Sequence, residues 1–236
     1  MILTVLGNNG PFPAAGGACS GYLLTSDSGN TRLLLDCGSG VLGRLLEECP
    51  LEDLSAAVLS HLHYDHMSDM LPMRYALDFS GLQSLRVFCP ETPARTRALL
   101  SGGKMDLYEM KDTRIGEMRL EFLPVCHPVE CFAVRVTCDG TTLVYTGDTN
   151  QCDALTLFAD GADLLLADAG FLKADWTPQK PHMSAAMCAE LAKETRAKRL
   201  LLTHIHPLLD AEALLDEALA IYPDAELTAP GTRARV

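Results

Sequence analysis

The chain has 236 residues, of which 48% are hydrophobic and 21% are charged, and its formal net charge is -12 at pH 7. This is the composition of an ordinary globular protein long enough to bury a substantial core, and no apolar run approaches the ~20 residues of a membrane span. The acidic balance argues against a protein that grips a long nucleic acid, because such proteins present a basic face.

The first residues and the cysteines both favour a cytoplasmic location. Met1 to Gly7 has no basic region and only a short apolar core, which predicts a first strand and not a signal peptide. The nine cysteines include no Cys-x-x-Cys pair. We therefore expect reduced thiols in place of a disulfide framework. The spacing of Cys126, Cys131 and Cys138 fits no zinc ribbon.

In the first half of the chain, hydrophobic periodicity predicts strands that alternate with helices. The predicted strands cover residues 1–6, 20–26, 31–36, 56–59 and 85–89. Predicted helices run from about 41 to 48, from 68 to 79, and onward from about 92. A loop rich in glycine, proline and asparagine follows the first strand, from Gly7 to Cys19.

The middle of the chain is typical of an antiparallel meander, and strands and helices alternate again after it. The meander strands are predicted at 118–126, 130–137 and 141–146, with an Asp139-Gly140 hairpin turn. Later strands are predicted at 163–168, 199–203 and 226–229, and helices at 152–160, 184–196 (with Ser184 as N-cap) and 208–221. This order predicts an α/β four-layer sandwich of two mixed sheets with helices outside, as one domain over residues 1–236.

The stretch from Ser60 to Met67 is the densest group of metal-ligand side chains in the sequence. His61, His63, Asp65 and His66 directly follow the predicted strand at 56–59. His61 and His63 are two residues apart, so in extended backbone both imidazoles leave on one side and can bind one cation. Asp65 and His66 follow a bend at Tyr64 and point elsewhere, as ligands of a second cation would. A polar turn with chance histidines is the alternative interpretation.

Three further ligand-type residues follow predicted strands. His127 comes after the strand at 118–126, Asp148 lies in the turn Thr146-Gly147-Asp148-Thr149, and His204 closes the apolar run 200–203. Open α/β sheets place ligand-binding groups at such strand ends. Each residue alone could be an ordinary loop or turn residue. Together with the first motif they offer seven nitrogen and oxygen ligands, of the types that zinc-like ions prefer.

This series of motifs resembles the metallo-β-lactamase fold, and most of all its ribonuclease Z-like branch. The resemblance implies that His61, His63 and His127 hold a first divalent metal ion. It further implies that Asp65, His66 and His204 hold a second, and that Asp148 bridges both. Zinc suits these ligands first, with manganese or iron as alternatives. Glutamate replaces His63 in flavodiiron oxidoreductases of this fold, so the histidine favours hydrolysis. No cysteine matches the second-site cysteine of many true β-lactamases.

The resemblance also supplies a general acid. His182, in Pro181-His182-Met183-Ser184, matches the histidine that protonates the leaving oxygen in ribonuclease Z-like enzymes. Asp168 stands where the branch has a supporting glutamate and is one methylene shorter. Paired divalent ions about 3.5–4 Å apart lower the pKa of a shared water and clamp phosphoryl oxygens. The spare oxygen of Asp65 is placed to orient the nucleophile.

The prediction of the substrate depends on the small number of residues between His127 and Asp148. Ribonuclease Z carries a long arm for transfer RNA between its third histidine and its bridging aspartate, but His127 and Asp148 are only 21 residues apart. The densest group of basic residues consists of Lys193, Arg196, Lys198 and Arg199. It lies at the end of a predicted helix, where cations complement the helix dipole, so it is no specific sign of nucleic-acid binding. We therefore predict a metal-dependent phosphodiesterase for a small anionic phosphodiester such as a cyclic nucleotide, with no long nucleic acid and no membrane as partner.

Three other functions stay open from the sequence. A thioester or lactone hydrolase would use the same metals on a carbonyl group. Processing of the 3′ end of transfer RNA is disfavoured because the arm is absent. A non-catalytic metal-binding protein would keep the ligands without turnover. A homodimer also stays open as an assembly.

Overall fold

The computed structural model describes residues 1–236 and contains two seven-stranded mixed sheets. The first half of the chain builds most of the first sheet, together with one strand from the C-terminal end. The strands are β1 (Ile2–Gly7), β2 (Gly21–Thr25), β3 (Arg32–Leu35), β4 (Ala56–Val58), β5 (Leu85–Phe88) and β6 (Met105–Tyr108). β1 to β3 pair antiparallel, and β3 to β6 pair parallel.

The second sheet is built from the meander and from the parallel strands after it. Its strands are β7 (Thr113–Ile115), β8 (Met118–Pro124), β9 (Phe132–Cys138), β10 (Thr141–Tyr145), β11 (Leu164–Asp168), β12 (Leu200–Thr203) and β13 (Ala225–Leu227). β7 to β10 pair antiparallel and β10 to β13 pair parallel. The last strand, β14 (Arg233–Arg235), returns to the first sheet and pairs with β1.

Seven helices surround the two sheets. They are α1 (Val41–Glu48), α2 (Tyr64–Met67), α3 (Met70–Phe79), α4 (Ala94–Leu100), α5 (Asp153–Phe158), α6 (Ala185–Glu194) and α7 (Ala211–Leu219). None of them is long and apolar enough to cross a membrane.

Three buried apolar clusters hold the layers together. The central cluster joins side chains of both sheets, such as Leu3 and Leu35 with Leu143 and Leu166. A second cluster packs α1 and α3 on the first sheet, and a third packs α5, α6 and α7 on the second. The alternating side chains of each buried strand therefore point into two different clusters, as a two-faced sheet requires. The predicted four-layer sandwich is confirmed.

The main differences from the predicted elements lie at sheet edges and in the histidine motif. β6, β7 and β14 were not predicted, and each is the outermost strand at one edge of a sheet. The helix predicted over 68–79 begins at Met70, because the separate short helix α2 starts at Tyr64 and the two are interrupted at Ser68-Asp69. The predicted Ser184 cap is present, since its side chain accepts a hydrogen bond from the Met187 amide.

The parallel strands bring one end of both sheets together. β3, β4, β10, β11 and β12 all run toward the same end of the sandwich, so the loops at their carboxyl ends meet. The basic cluster lies elsewhere, on segments around α6 and β12. Arg196, Lys198 and Arg199 form ion pairs there with Asp160, Asp163 and Glu226. These three basic side chains are therefore each paired with a carboxylate at the surface.

Candidate metal centre

One group of ring nitrogens comes from His61, His63 and His127. The His61 Nε2 and His127 Nε2 atoms lie 3.0 and 3.1 Å from His63 Nδ1. A tetrahedral ion with bonds of about 2.0–2.1 Å holds nitrogen ligands about 3.3 Å apart. Burial lowers the pKa of all three imidazoles, which keeps them in the neutral form that offers a lone pair. The three nitrogens can hold one metal ion.

A second group is formed by Asp65, His66, Asp148 and His204, all of them buried. The Asp148 Oδ2 atom lies 3.2 Å from His66 Nε2 and 3.3 Å from His204 Nε2. The Asp65 Oδ2 atom lies 3.2 Å from His204 Nε2. The same Asp148 oxygen is 3.6 Å from His61 Nε2, so it lies between the two groups. The seven residues singled out in the sequence thus come together as two adjoining ligand sets.

The chemistry of the donor atoms fits divalent metal. His66 Nε2 and Asp148 Oδ1 are buried in the second ligand set and have no hydrogen-bond partner within the chain. An unpartnered buried polar atom costs free energy that a bound cation removes. Neutral imidazole mixed with carboxylate is the ligand set of zinc-like ions. Both groups could therefore hold a metal ion.

His182 and Asp168 lie beside these ligands as a hydrogen-bonded pair. His182 Nδ1 is 2.8 Å from Asp168 Oδ2, so the shorter carboxylate does reach the histidine. The His182 ring stacks on the ring of His204 at 4.7 Å and lies 5.6 Å from that of His127. Burial lowers the pKa of His182, but the Asp168 charge and hydrogen bond outweigh it and raise the pKa to about 9. The imidazole therefore holds a proton at neutral pH.

The sequence analysis missed Asp36, which is fully buried at the end of β3. The Asp36 carboxylate accepts hydrogen bonds from the Ser60 amide at 2.6 Å and the Tyr145 hydroxyl at 2.7 Å. It also lies 2.8 Å from His66 Nδ1, which leaves Nε2 of that ring facing the ligand set. Such a partner fixes the tautomer and orientation of a metal ligand. Its position directly after an apolar strand, like that of His61, was the available signal.

Asn150 was also missed, and it ties the loop that carries His182 to the loop that carries Asp148. Its amide nitrogen donates to the backbone oxygens of Pro178 and Lys180, at 3.2 and 2.5 Å. Its side-chain oxygen accepts from the Trp176 indole at 3.1 Å. No local pattern marks Asn150, because its partners lie 26 to 30 residues away.

The imidazole of His204 packs directly against the backbone of Gly10 in the first loop. A Cβ atom on Gly10 would lie 1.9 Å from His204 Nε2, so only glycine leaves room for that imidazole. His204 itself has a φ of 57°, in the left-handed region that non-glycine residues rarely adopt. Backbone outliers of this kind cluster at functional sites. Asp36, the partner of His66, has a φ of 58°.

Comparison with known proteins adds independent findings. A sequence model described as the beta-lactamase superfamily domain matches residues 31–205. The probable metallo-hydrolase YhfI of Bacillus subtilis is 35% identical over 231 residues, which covers 94% of each chain. The crystal structure of YhfI, a metallo-β-lactamase fold protein, matches with a TM-score of 0.93 at 32% identity over 99% of both chains.

Two more distant proteins also match, one by sequence and one by structure. Ribonuclease Z of Methanopyrus kandleri is 24% identical over 279 residues, with 100% of this chain and 98% of the relative covered. A solved diphosphatase of the PhnP family matches with a TM-score of 0.76 at 18% identity, over 100% of this chain and 97% of the other. At 18% identity the structural match shows a shared fold and does not show a shared activity.

Proposed function

The chain belongs to the β-lactamase superfamily and has its metallo-hydrolase fold, and from this premise we propose that it is a phosphodiesterase that cleaves a small phosphodiester such as a cyclic nucleotide. We further propose that residues 1–236 act as one hydrolase domain with a two-metal site, zinc being the first choice of ion. His61, His63 and His127 would form one ligand set. Asp65, His66 and His204 would form the other, with Asp148 shared.

One observation carries the proposal: the His182–Asp168 pair beside the ligand sets. Because His182 Nδ1 is engaged by Asp168 at 2.8 Å, Nε2 is the ring nitrogen free to meet a substrate. A general acid is needed when the leaving group is an alkoxide, as in a phosphodiester. A thiolate is a far weaker base and leaves without one. The pair therefore favours a phosphodiester over a thioester.

The other side chains have roles that agree with this chemistry. Bound divalent ions would supply hydroxide at neutral pH and neutralise the phosphate charge. Asp168 accepts a hydrogen bond from Nδ1 of His182 and stabilises the imidazolium, whose Nε2–H would donate the proton to the leaving oxygen. Asp65 has a second carboxylate oxygen with which it can orient the attacking nucleophile. His182 is 15% exposed, so it stays in contact with solvent for reprotonation.

The small size of the substrate is supported by the hairpin between His127 and Asp148. β9 and β10 fill this interval and are joined by the tight turn at Asp139-Gly140. No protruding arm is present there that could grip a folded RNA. The names of two relatives, ribonuclease Z and diphosphatase, describe hydrolysis at phosphorus, which agrees with the proposed reaction class.

A substrate screen tests the proposal. Purified protein, loaded with zinc or manganese, is assayed with bis-p-nitrophenyl phosphate and with 2′,3′- and 3′,5′-cyclic nucleotides. We expect turnover of at least one small phosphodiester and none after chelation. A thioester and lactone panel and a precursor transfer RNA are run alongside. Turnover of a thioester or lactone alone would overturn the phosphodiesterase proposal, and cleavage of the RNA alone would overturn the small-substrate proposal. Metal binding without any turnover would point to a non-catalytic protein.

A further inference from the structure

The loop that carries His182 is fixed to the molecule in different ways on its two sides. Residues 176–183 belong to no helix or strand. After His182 the main chain is paired, because the Phe171 amide donates to the Met183 carbonyl oxygen at 3.3 Å. Before His182 the loop contains two prolines, which have no N–H to donate. There the carbonyl oxygens of the loop accept hydrogen bonds from side chains of other segments.

Asn150 supplies most of these hydrogen bonds and uses every hydrogen-bonding position of its side chain. Its Nδ2 atom donates to the carbonyl oxygens of Pro178 and Lys180 at 3.2 and 2.5 Å. Its Oδ1 atom accepts from the Gln151 amide at 2.7 Å and from the Trp176 indole at 3.1 Å. A side-chain amide has two donor and two acceptor positions, so all four are occupied. The side chain is buried, which shields these bonds from water.

Trp176, the single tryptophan of the chain, joins Asn150 to His182. Its indole N–H is shared between Asn150 Oδ1 and the His182 carbonyl oxygen, each at 3.1 Å. The indole therefore holds the backbone of the residue whose ring lies beside the ligand sets. The position of that backbone depends on one N–H group and on the amide oxygen with which it is shared.

The segment that holds this backbone also holds the partner of the imidazole ring. The Thr149 amide donates to Asp168 Oδ2 at 3.0 Å, and the same oxygen lies 2.8 Å from His182 Nδ1. Thr149 and Asn150 directly follow Asp148, whose carboxylate lies between the two ligand sets. Both the backbone and the ring of His182 are thus fixed relative to one short segment, 148–150.

We propose that Asn150 and Trp176 are positioning residues, which keep the Nε2 atom of His182 directed at the leaving oxygen of the substrate. This inference rests on the proposed function, in which His182 donates a proton to an alkoxide. Neither residue touches the substrate in this proposal. A misplacement of about 1 Å at a reacting group lowers the rate by about 10²-fold. The effect of both residues should therefore be confined to the step that needs the proton of His182.

The basicity of the leaving oxygen tests this role. Trp176→Phe removes the indole N–H and keeps an aromatic ring. On the best cyclic nucleotide, whose leaving group is an alkoxide, kcat should fall about tenfold with little change in KM and no loss of metal. On bis-p-nitrophenyl phosphate, kcat should fall less than about threefold, because p-nitrophenolate is a weak base that needs little help from an acid.

Tyr222→Phe is the matched control for this substitution. It also removes an aromatic donor to a backbone oxygen, since the Tyr222 hydroxyl donates to the Ala197 carbonyl oxygen at 2.8 Å. That bond lies outside the loop and both ligand sets. The control should leave kcat unchanged on both substrates.

Combination with His182→Ala distinguishes positioning from a general structural role. If Trp176 acts through His182, then Trp176→Phe should cause no further loss of kcat in the His182→Ala background. A further loss of similar size in that background would overturn the proposal. Equal losses on the two substrates, or loss of metal ions from Trp176→Phe, would overturn it as well.

Tryptophan fluorescence gives a readout that needs no turnover. In the zinc-loaded protein, Asn150→Ala should shift the Trp176 emission to longer wavelength and increase its quenching by acrylamide, because the loop loses its support. Asn30→Ala, in the exposed turn between β2 and β3, should change neither quantity. Circular dichroism shows whether each variant is folded, and the Trp176→Phe rates decide if Asn150→Ala is not.

The outcomes separate this inference from the proposed function. A wild type that cleaves no phosphodiester would contradict the proposed function itself. An active wild type whose folded Asn150→Ala variant keeps the same emission and the same kcat on the cyclic nucleotide would overturn the positioning role alone.

Discussion

At the scale of single residues, the surroundings of each imidazole decide what its nitrogens can do. Burial lowers the pKa of His61 and His127, so both rings keep free lone pairs at neutral pH. His182 contacts the Asp168 carboxylate, which outweighs burial and raises the pKa to about 9. The same type of side chain is therefore neutral with a free lone pair in one place and protonated a few ångströms away.

The first prediction concerns His182. His182→Ala should retain the full metal content but lose turnover by about 10²–10⁴-fold, because it removes the proton donor and no ligand. Metal content by mass spectrometry and steady-state rates on the best phosphodiester measure this. His206→Ala is a matched control, since His206 packs edge-on against Phe12 outside both ligand sets. Loss of a metal ion from the His182 variant would make His182 a ligand.

The second prediction concerns Asp36. Asp36→Asn should weaken metal binding by about 10–100-fold, because the amide cannot accept all the hydrogen bonds that orient His66 and Ser60. Competition with a chromophoric chelator gives the affinity. Tyr145→Phe removes only one of these hydrogen bonds and should change the affinity less. Equal affinity in the Asn variant and wild type would show that His66 needs no such support.

At the scale of elements, the site depends on the ends of the strands and on the loops that continue from them. Asp36, His61, Asp148 and His204 each come directly or almost directly after a buried strand, so rigid sheets fix their backbones. The helices lie outside the sheets and fix the loops less directly. α1 begins after Gly40, whose φ of 88° lies in the left-handed region. The short helix α2 is the exception, because it carries Asp65 and His66. Changes within α1 should therefore alter stability and leave the site intact.

The third prediction uses two glycines of this segment. Gly43→Ala should stabilise the protein by about 0.5–1 kcal/mol, because a Cβ there meets no atom within 4 Å and alanine favours helix. Gly40→Ala should instead destabilise it, since φ is 88° and a Cβ would lie 3.1 Å from the Ala18 Cβ. Urea unfolding measures both free energies. The same sign for the two variants would contradict this interpretation of α1.

At the scale of the whole molecule, acidic groups outnumber basic ones by twelve, so the paired carboxylates matter for acid stability. Asp163 joins three segments: its oxygens accept from the Thr142 amide at 2.7 Å and from Lys198 Nζ at 2.6 Å. Burial raises the pKa of the carboxyl, but the Lys198 and Thr142 hydrogen bonds outweigh it, so the pKa is lowered. The lowered pKa means that the stabilisation is present above the unfolded pKa of about 3.9.

The fourth prediction depends on that sign. Asp163→Asn should lose about 1 kcal/mol at pH 7, and the difference from wild type should shrink as pH falls from about 5 toward 2. The reason is that wild-type Asp163 becomes protonated over this window and loses the same interactions. Urea midpoints at pH 7, 4 and 3 give the comparison. A difference that stays constant across the window would show that the charge of Asp163 is not involved.

The sequence by itself determined the family, most of the order of elements, and the seven residues whose nitrogen and oxygen atoms come together in two groups. It could do so because buried strands have continuous apolar runs, and because ligand-type side chains come directly after those runs. The edge strands β6, β7 and β14 could not be predicted from the sequence. Each is short and paired on one side only, so no apolar pattern marks it.

Only the tertiary structure decided how distant segments support the site. Asp36 reaches Tyr145 across 109 residues, and Asp168 proves long enough for His182 because β11 and the loop after it bring them to 2.8 Å. Likewise, only the structure shows that Leu71, Tyr75 and Phe79 of α3 are exposed and not packed against another element. Hydrophobic periodicity reports which side of an element is buried. It carries no information about which remote side chain will meet a given hydrogen-bonding atom.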